Sequence, residues 1–336
     1  MRLSELEQLD SFALLGPGFG GRRFLLLADL HRATAADCGP CLAYAPFETA
    51  GRNAHLLAAA TRRTCDPVFD VAPADIAVSL QAEGHREAVE RIRAAIARGD
   101  VYQVCYTVRA TVHGASGAQL LARMTQADVP RFAAWVRLPW GEEFVSASAE
   151  LFFEVSGRHI HTEPMKGTAA RSAAADLQAS DKDRAELAMI TDLLRNDLAT
   201  VCRPRSVAVP CARRIVRLAY AVQTVSDVTG ELREGETPLG ALAALHPGGS
   251  VTGAPKQAAL AMIRALEGGP RGAYCGALGL WHGEQATFSL LIRTAARRGE
   301  AWAYGVGGGI VYDSDPDAEL AEVRVKLGAL QGAGPT

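Results

Sequence analysis

The sequence has no long apolar run and no leader-like N-terminus. Its longest early apolar run covers residues 24–28. A helix needs about 20 consecutive apolar residues to span a bilayer. The first residues, MRLSELE, carry acids and lack the apolar stretch of a secretory signal. We therefore expect a soluble, cytoplasmic protein.

An excess of positive charge is also missing. Lys plus Arg total 35 and Asp plus Glu total 37, which gives a net charge of −2. That balance argues against a protein that binds nucleic acid or an anionic membrane, because both partners require a basic excess. The seven cysteines are scattered and odd in number, which predicts reduced thiols rather than a disulfide framework.

What is present is enough apolar material for a sizeable core. Apolar residues make up 49% of the chain and charged residues 21%. At roughly 150 residues per domain, the length predicts two domains or one large one. Residues 1–75 are weakly patterned and rich in Arg, Ala and Gly. We expect them to form an N-terminal segment that packs on the same fold as a main domain, residues 76–332.

Hydrophobic periodicity predicts a mixture of helices and strands. Helices are expected at residues 85–97, 181–199, 239–245, 256–266 and 316–330. Strands are expected at residues 24–27, 43–47, 101–108, 132–138, 144–149, 278–281, 286–294 and 301–305. A glycine-containing turn is expected around Lys166, and Ser180 with Asp183 has the spacing of a capping box.

Four short motifs resemble known sites, but we favour a plainer interpretation of each. GGSVTG (248–253) is followed by Ala-Pro instead of the Lys-Ser/Thr of a phosphate loop. GVGGG (305–309) precedes Ile310, where a dinucleotide fingerprint needs its third glycine. CGPC (38–41) matches a redox dithiol, yet a strand-like segment follows it. His159 and His161 alternate on a predicted strand without a third nearby ligand, so we interpret them as exposed histidines.

Two predicted helices each carry a pair of acids three residues apart. Asp183 and Glu186 lie on the first of them, and Glu319 and Glu322 lie on the last, with Lys326 one turn further on. Residues at this spacing share a helix face. Two such faces can hold Mg²⁺, which usually takes one or two carboxylates besides water and substrate. Spacing alone favours the alternative of solvated salt bridges.

Two basic residues stand in unusual surroundings. Lys166 lies among small residues in the predicted turn, where desolvation or a nearby cation would make it a nucleophile, although a surface lysine is the simpler alternative. Arg293 ends an apolar run, FSLLIRT (288–294), where an arginine needs an anion for a partner. Arg293 is therefore a candidate carboxylate clamp. The glycines at 307–309 would let backbone N–H groups approach the same anion.

Several longer motifs, taken in order, resemble one known family. They are TEPMKGT (162–168), AMITDLLRNDL (188–198), GSVTGAPK (249–256), YCG (274–276), IRTA (292–295) and GGIVYDSDP (308–316). Together they are similar to the chorismate-utilising enzymes, which include anthranilate, aminodeoxychorismate, isochorismate and salicylate synthases. The resemblance covers residues 80–332. It implies an α+β fold in which two large, mostly antiparallel sheets pack as a sandwich with helices outside.

The resemblance also assigns roles to individual residues. It implies that Glu186 and Glu322 bind Mg²⁺, with Asp183 and Glu319 as supporting acids. Glu150 matches the general acid near the C4 hydroxyl of chorismate. The substrate-binding groups that it implies are Arg293, Lys326, Tyr274, Gly307, Gly308, Gly309, Thr252 and Gly253.

Two positions discriminate among the reactions of the family. Gln103 matches the position where isochorismate and salicylate synthases carry a water-activating lysine, and a neutral amide cannot act as that base. Lys166 matches the lysine of aminodeoxychorismate synthases, where anthranilate synthases carry alanine. The resemblance thus implies component I of an aminodeoxychorismate synthase, a step in para-aminobenzoate formation for folate or for a secondary metabolite.

The sequence leaves two further points to experiment. No glutaminase nucleophile motif is evident, so ammonia is expected from solution or from a partner glutamine amidotransferase. The N-terminal segment is shorter than in the longer relatives, and we expect no tryptophan feedback. The competing interpretations are anthranilate synthase component I and a non-catalytic, chorismate-binding regulatory subunit.

Overall fold

The computed structural model describes residues 1–19, 21–34, 39–49, 53–72, 74–126, 128–169, 174–217 and 222–331. The helices in this part of the chain are α1 (Leu3–Leu6), α2 (His85–Ala97), α3 (Gly117–Met124), α4 (Ala174–Ala179), α5 (Asp181–Ala199), α6 (Pro238–Leu245), α7 (Lys256–Leu266) and α8 (Pro316–Gln331). Among these described helices, none combines the length and the apolar character that a bilayer crossing requires.

The described residues also form eighteen strands. These are β1 (Phe12–Leu15), β2 (Phe24–Arg32), β3 (Cys41–Ala45), β4 (His55–Cys65), β5 (Ala77–Gln81), β6 (Gln103–His113), β7 (Phe132–Arg137), β8 (Glu143–Ser148), β9 (Leu151–Ser156), β10 (His159–Thr162), β11 (Met165–Ala169), β12 (Ala208–Arg217), β13 (Val222–Glu231), β14 (Gly253–Ala254), β15 (Ala277–His282), β16 (Gln285–Leu290), β17 (Thr294–Arg298) and β18 (Ala301–Ile310).

The strands pair in antiparallel ladders from one end of the network to the other. The sequence of neighbours runs β5-β6-β18-β17-β8-β7-β1-β2-β4-β3-β15-β16-β9-β10-β13-β12. β11 pairs with β13, and β14 pairs with the first residues of β6. The α+β class with antiparallel sheet and helices is confirmed. Hydrogen bonds join all eighteen strands into one continuous network. The two predicted sheets are therefore connected to each other through shared strands.

Two hydrophobic cores lie on opposite faces of this network. β1 contributes Phe12 and Leu14 to the larger core and Ala13 and Leu15 to the smaller, because successive strand residues point to opposite faces. The smaller core contains no α-helical residue among those described, whereas the larger one includes residues of α2, α3, α6, α7 and α8. The smaller core therefore lies between strands, and the larger core lies where helices cover the sheet.

Several boundaries agree with the sequence prediction to the residue. The helices expected at 85–97, 181–199 and 256–266 are found there. α5 begins where predicted because the Ser180 hydroxyl accepts a hydrogen bond from the Asp183 N–H at 3.2 Å. The N-terminal segment pairs directly with later strands through β1 and β3. The domain boundary at residue 75 remains a prediction.

The strand expected at 286–294 is wrong in one respect. The chain leaves the ladder after β16 and returns to it at β17, and residues 291–293 lie between. Arg293 has a φ of 50°, a left-handed conformation that a regular strand does not contain. A matching interruption, residues 149–150, separates β8 from β9. The two interruptions lie opposite each other in the sheet.

The turn expected around Lys166 is a bulged strand. β11 pairs with β13, and its register shifts between Lys166 and Thr168. Gly167, at φ 64°, supplies the left-handed residue of the bulge. Of the CGPC motif, Cys38 lies outside the described residues, and Cys41 begins β3 as a buried thiol.

Candidate active site

Glu150 lies in the interruption between β8 and β9, and only 8% of its surface is exposed. Its N–H donates to the Ser148 hydroxyl at 3.2 Å, and its carbonyl accepts from the Leu290 N–H at 3.3 Å. Burial raises the pKa of its carboxyl, while the Ser250 hydroxyl and the charge of Lys166 act in the opposite direction. A carboxyl in this environment is suited to act as a proton donor.

Lys166 is placed by the bulge in β11. Its carbonyl accepts a hydrogen bond from the Thr224 hydroxyl at 2.5 Å. Its positive charge acts on the Glu150 carboxyl and also on the Cys105 thiol. Burial raises the pKa of that thiol, and the charges of Lys166 and Lys326 both oppose the effect. Cys105 thus lies where the fields of the two lysines overlap.

Gln103 begins β6 and is 3% exposed. Its amide nitrogen occupies the space that a Cβ on Gly309 would need, so any larger residue there would displace the Gln103 side chain. Gly253, at φ 140°, packs its Cα face against the Gln103 carbonyl in the short pairing of β14 with β6. Thr252 is fully buried, and its carbonyl accepts from the Cys105 N–H at 2.8 Å. The structure brings these predicted residues together.

The glycines 307–309 lie in β18, paired with β6, and not in a phosphate-binding loop. Of the three, Gly308 is the one that faces α8. The Lys326 ammonium donates to the Gly307 carbonyl at 2.7 Å and pairs with Glu322 at 2.6 Å. A Cβ on Gly308 would meet the Glu319 carboxylate at 3.4 Å. Glu319, Glu322 and Lys326 therefore share the face of α8 that looks onto β18.

On the other acidic helix, α5, Asp183 lies over the bulge of β11. Its Oδ1 is 2.7 Å from the position of a Cβ on Gly167. Asp183 and Glu186 are both partly exposed. The four predicted acids offer only carboxylate oxygens, which are the donors that Mg²⁺ prefers. The donor types of these acids therefore suit a magnesium ion.

The side chain of Tyr274 packs against β18, whereas the backbone of Arg293 is hydrogen-bonded to the sheet. The Tyr274 side chain is 9% exposed, and its ring fills the space that a Cβ on Gly305 would need. Burial raises the pKa of its phenol well above the usual value, so the phenol remains a hydrogen-bond donor. Arg293 lies in the interruption after β16, and its carbonyl accepts from the Ala147 N–H at 3.0 Å.

The sequence analysis did not single out Arg271, which is buried between β6 and the turn at residues 249–251. Its guanidinium pairs with Glu267 at 2.6 Å and donates to the carbonyls of Val251 and Cys105, each at 2.7 Å. Glu267 in turn accepts from the N–H and the hydroxyl of Thr107, each at 2.9 Å. One ion pair thus ties β6 to the turn at residues 249–251. The charge spacing of residues 267 and 271 is the one sequence signal for it.

A cavity of about 490 Å³ lies beside this ion pair. It is lined by residues 47–49, by α7 and by Arg271 and Glu267. None of the predicted catalytic or metal-binding residues lines it. The charge of Lys166 acts on the buried Glu150 carboxyl, so we take these two residues as the centre of the candidate site.

Among the described residues, a cluster of metal-ligand type lies at the end of β10 and on β13. The ligand atoms of His161, Glu163 and Asp227 lie within 4.8 Å of one another. The carboxylates already have cationic partners: Arg214 pairs with Glu163 at 2.5 Å and with Asp227 at 2.9 Å. His161 also pairs with Glu154 at 3.0 Å. This cluster is a salt-bridge network. His159 is exposed, as predicted, whereas His161 is paired and only partly exposed.

Comparison with known proteins identifies the family. A family model described as chorismate binding enzyme matches residues 29–332. An anthranilate synthase component 1 of Haloarcula marismortui is 36% identical over 281 residues, which cover 80% of this chain and 57% of that protein. An aminodeoxychorismate synthase of Streptomyces pristinaespiralis is 39% identical over 253 residues, 72% of this chain and 35% of that protein. The chain belongs to the chorismate-binding enzyme family.

The fold is also that of solved members. The menaquinone-specific isochorismate synthase of Escherichia coli matches with a TM-score of 0.83 at 18% identity, covering 98% of this chain and 90% of that one. At this identity the likeness concerns the fold alone. The chain spans 57% and 35% of the two curated relatives' lengths, and these relatives carry names of two different reactions.

Proposed function

We propose that the chain is component I of an aminodeoxychorismate synthase. It converts chorismate and ammonia into 4-amino-4-deoxychorismate and water, and a separate glutamine amidotransferase supplies the ammonia. The observation that carries the proposal is a buried acid that lies within the electrostatic influence of an amine. The charge of Lys166 is close enough to the Glu150 carboxyl to lower its pKa against the effect of burial.

In the first step Lys166 loses its ammonium proton to solvent, and the resulting amine adds to C2 of the chorismate ring. The two ring double bonds shift, the C4–O bond breaks, and the hydroxyl leaves as water with the proton of Glu150. Burial supports this role, because it raises the pKa of Glu150 and keeps the proton on the carboxyl at higher pH. The step leaves the substrate joined to the lysine and leaves Glu150 as a carboxylate.

In the second step ammonia forms a bond to C4, and the double bonds shift back. The C2–N bond to Lys166 breaks, and the lysine leaves as an amine. The Glu150 carboxylate accepts the surplus proton of the new ammonium group, which restores the acid. The amino group therefore ends at C4, and the enolpyruvyl ether at C3 survives for a separate lyase.

The remaining candidate residues bind and orient the substrate. Glu186 and Glu322 would hold Mg²⁺, with Asp183 and Glu319 beside them, and the bound ion would neutralise the ring carboxylate. Basic and hydrogen-bonding groups at the other carboxylate are proposed to be Arg293, Lys326, Tyr274, Thr252, Gly253 and the backbone of Gly307, Gly308 and Gly309. The Lys326 ammonium already donates to one carbonyl of that backbone.

Gln103 supports amination over hydration. Its buried amide cannot remove a proton from water, so attack of water at C2 lacks a base. Anthranilate synthase component I remains a second candidate because a relative of that name is 36% identical over 281 residues. That reaction places nitrogen at C2, the position that Lys166 itself attacks in our proposal.

The product decides between these candidates. Purified chain is incubated with chorismate, Mg²⁺ and ammonium, and the product is identified by mass, with and without an added lyase specific for the 4-amino compound. We expect 4-amino-4-deoxychorismate. Fluorescent anthranilate would overturn the assignment, and no Mg²⁺-dependent loss of chorismate would indicate a non-catalytic binding subunit. Equal activity of the pure chain with glutamine would refute the need for an amidotransferase.

The nucleophile is tested separately. Lys166→Ala should lose most of the product formation, and an unchanged rate would remove the proposed covalent step. The chain has only four lysines, so a covalent adduct is easily located by peptide mass spectrometry. Without ammonia, chorismate should modify the peptide that contains Lys166. Lys256, which pairs with Asp197 at 3.0 Å, serves as the internal control and should stay unmodified.

A further inference from the structure

The hydroxyl of Ser250 donates a hydrogen bond to Oε1 of Glu150 at 2.9 Å. The two residues are 100 positions apart, so the tertiary fold alone makes this contact. We propose that Ser250 is the positioning residue of the general acid: by donating to Oε1 it leaves Oε2 to carry the proton and deliver it to the substrate. This inference rests on the role proposed for Glu150 and adds the residue that orients it.

The backbone on either side of Ser250 is held in place. Residues Gly249–Val251 form one turn of 3-10 helix, and the Gly249 N–H donates to the Asp197 carboxylate on α5. On the other side, the Arg271 guanidinium donates to the Val251 carbonyl at 2.7 Å. Because both neighbouring residues are hydrogen-bonded to other elements, the backbone of Ser250 is held at a fixed distance from Glu150.

Glu150 is fixed only as far as its backbone. Its N–H donates to the Ser148 hydroxyl, and its carbonyl accepts from Leu290 across the interruption in the sheet. A glutamate side chain has several rotatable bonds beyond that backbone, so these contacts leave the direction of the carboxyl open. The contact with Ser250 restrains the carboxyl itself. The serine therefore both satisfies a buried polar group and sets its direction.

The groups that act electrostatically on Glu150 are few and come from different elements. Lys166 on β11 and the Ser250 hydroxyl both favour the carboxylate, and burial favours the protonated acid. Without the hydroxyl, burial is opposed by Lys166 alone. Ser250→Ala should therefore raise the pKa of Glu150, and Ser250→Thr, which keeps a hydroxyl, should leave it near the wild-type value.

The titration of Glu150 tests this directly and needs no turnover. Difference infrared spectroscopy follows the carbonyl band of the protonated carboxyl with pH, and Glu150→Gln assigns the band. The midpoint should move to higher pH in Ser250→Ala and return in Ser250→Thr. An unchanged midpoint in Ser250→Ala overturns the proposal. If that variant does not fold, Ser250→Cys, with its weak donor, should show the same upward movement to a smaller extent.

Ser148→Ala is the matched control. It removes another buried serine hydroxyl that contacts Glu150, but through the backbone N–H and not through the carboxyl. Its infrared midpoint should stay near that of the wild type, whatever it does to stability. A movement as large as in Ser250→Ala would mean that any packing change shifts Glu150, and would refute a specific role for Ser250.

Kinetics give the second readout. Ser250→Ala should lower kcat by about 10- to 100-fold, because the acid is misdirected, while KM for chorismate changes little. The limb of the kcat/KM profile that falls with rising pH should move to higher pH, as the infrared midpoint does. A wild-type protein that makes anthranilate or no product refutes the proposed function, whereas the infrared midpoints still decide the role of Ser250.

Discussion

The two sides of the candidate site differ in how much the fold itself fixes them. On the proton-transfer side, which we define as Gln103, Glu150 and Ser250, the first two residues are 3% and 8% exposed and backbone contacts hold them. On the acidic side, formed by Asp183, Glu186, Glu319 and Glu322, the side chains are partly or largely exposed, and Glu322 retains 57% of its accessible surface.

The difference follows from what each side has to do. A proton donor must be dehydrated and aimed before the substrate arrives, because its pKa and its direction both decide the rate. Carboxylates proposed to bind a cation have no such need for burial, because burying a charge costs free energy. The fold therefore organises the proton-transfer side in advance, whereas an ion would have to organise the acidic side.

The largest effect is expected on the proton-transfer side from Glu150→Gln. Glutamine has nearly the same shape and still accepts from Ser250, but it has no acidic proton. The turnover number should fall by about 10²–10⁴-fold, while the urea midpoint stays near that of the wild type. Product formation and urea unfolding are measured on the same preparation. Near-normal turnover would show that another group donates the proton.

The next largest effect is expected on stability, from breaking the buried Arg271–Glu267 ion pair. Arg271→Met breaks an ion pair whose side chains are only 2% and 6% exposed, and it leaves Glu267 buried without its cation. The free energy of unfolding should fall by about 3–5 kcal/mol. Urea denaturation measures this loss.

An exposed pair on α5 provides the control for that measurement. Arg184→Met disturbs a contact with Asp181 in which the two side chains are 63% and 84% exposed. It should cost less than about 1 kcal/mol. Equal losses in the two variants would contradict the claim that burial gives the Arg271–Glu267 pair its importance.

A smaller effect is expected on the acidic side. Asp183→Asn should raise the Mg²⁺ concentration for half-maximal activity by about 10–100-fold and leave the stability of the ion-free protein nearly unchanged. Asp181→Asn, on the same helix but 84% exposed, is the matched control and should behave like the wild type. Magnesium titrations after treatment with a chelator measure both. No difference between the two variants would remove Asp183 from the metal site.

The smallest effect is expected outside both sides, in the network around His161. The hydrogen bond with Glu154, followed by that with Asp227, raises the pKa of His161, and burial opposes them. The folded state thus binds the proton more tightly than the unfolded chain, whose histidines titrate near 6.5. The resulting stabilisation, about 1 kcal/mol or less, is complete below that pH and disappears as the pH rises through the folded pKa.

His161→Gln should therefore lower the thermal midpoint at pH 5.5 and leave it nearly unchanged at pH 9, a range in which differential scanning calorimetry compares the two proteins. A larger loss at the alkaline pH would reverse the sign of the argument. It would indicate that His161 contributes mainly as a neutral, packed ring.

Helix boundaries are predictable from the sequence where residues next to the boundary determine it. α5 is predicted to the residue because Ser180 caps it and its apolar residues keep helical spacing. The break at residues 291–293 was missed for the converse reason. The apolar run 288–294 is typical of one continuous strand, and nothing in it marks the left-handed conformation of Arg293.

The site shows the same division. Lys166 and the acids of α5 and α8 stand out by residue type and spacing, whereas Glu150 is indicated by the family resemblance alone. Ser250 and Arg271 do not stand out, because their contacts reach across 100 and 166 positions of the chain. A serine in a glycine-rich stretch and a charge pair on a loop look ordinary until the fold supplies their partners.

The paired interruptions between β8 and β9 and between β16 and β17 also fix a length. Thr294 lies opposite Ser146 and Ser289 lies opposite Leu151, so both strands spend the same number of residues crossing the gap. One added or deleted residue on either side would turn the strand beyond it over and exchange its inward and outward side chains. Side-chain substitutions in the gap beside Glu150 should therefore disturb the sheet less than an insertion or a deletion there.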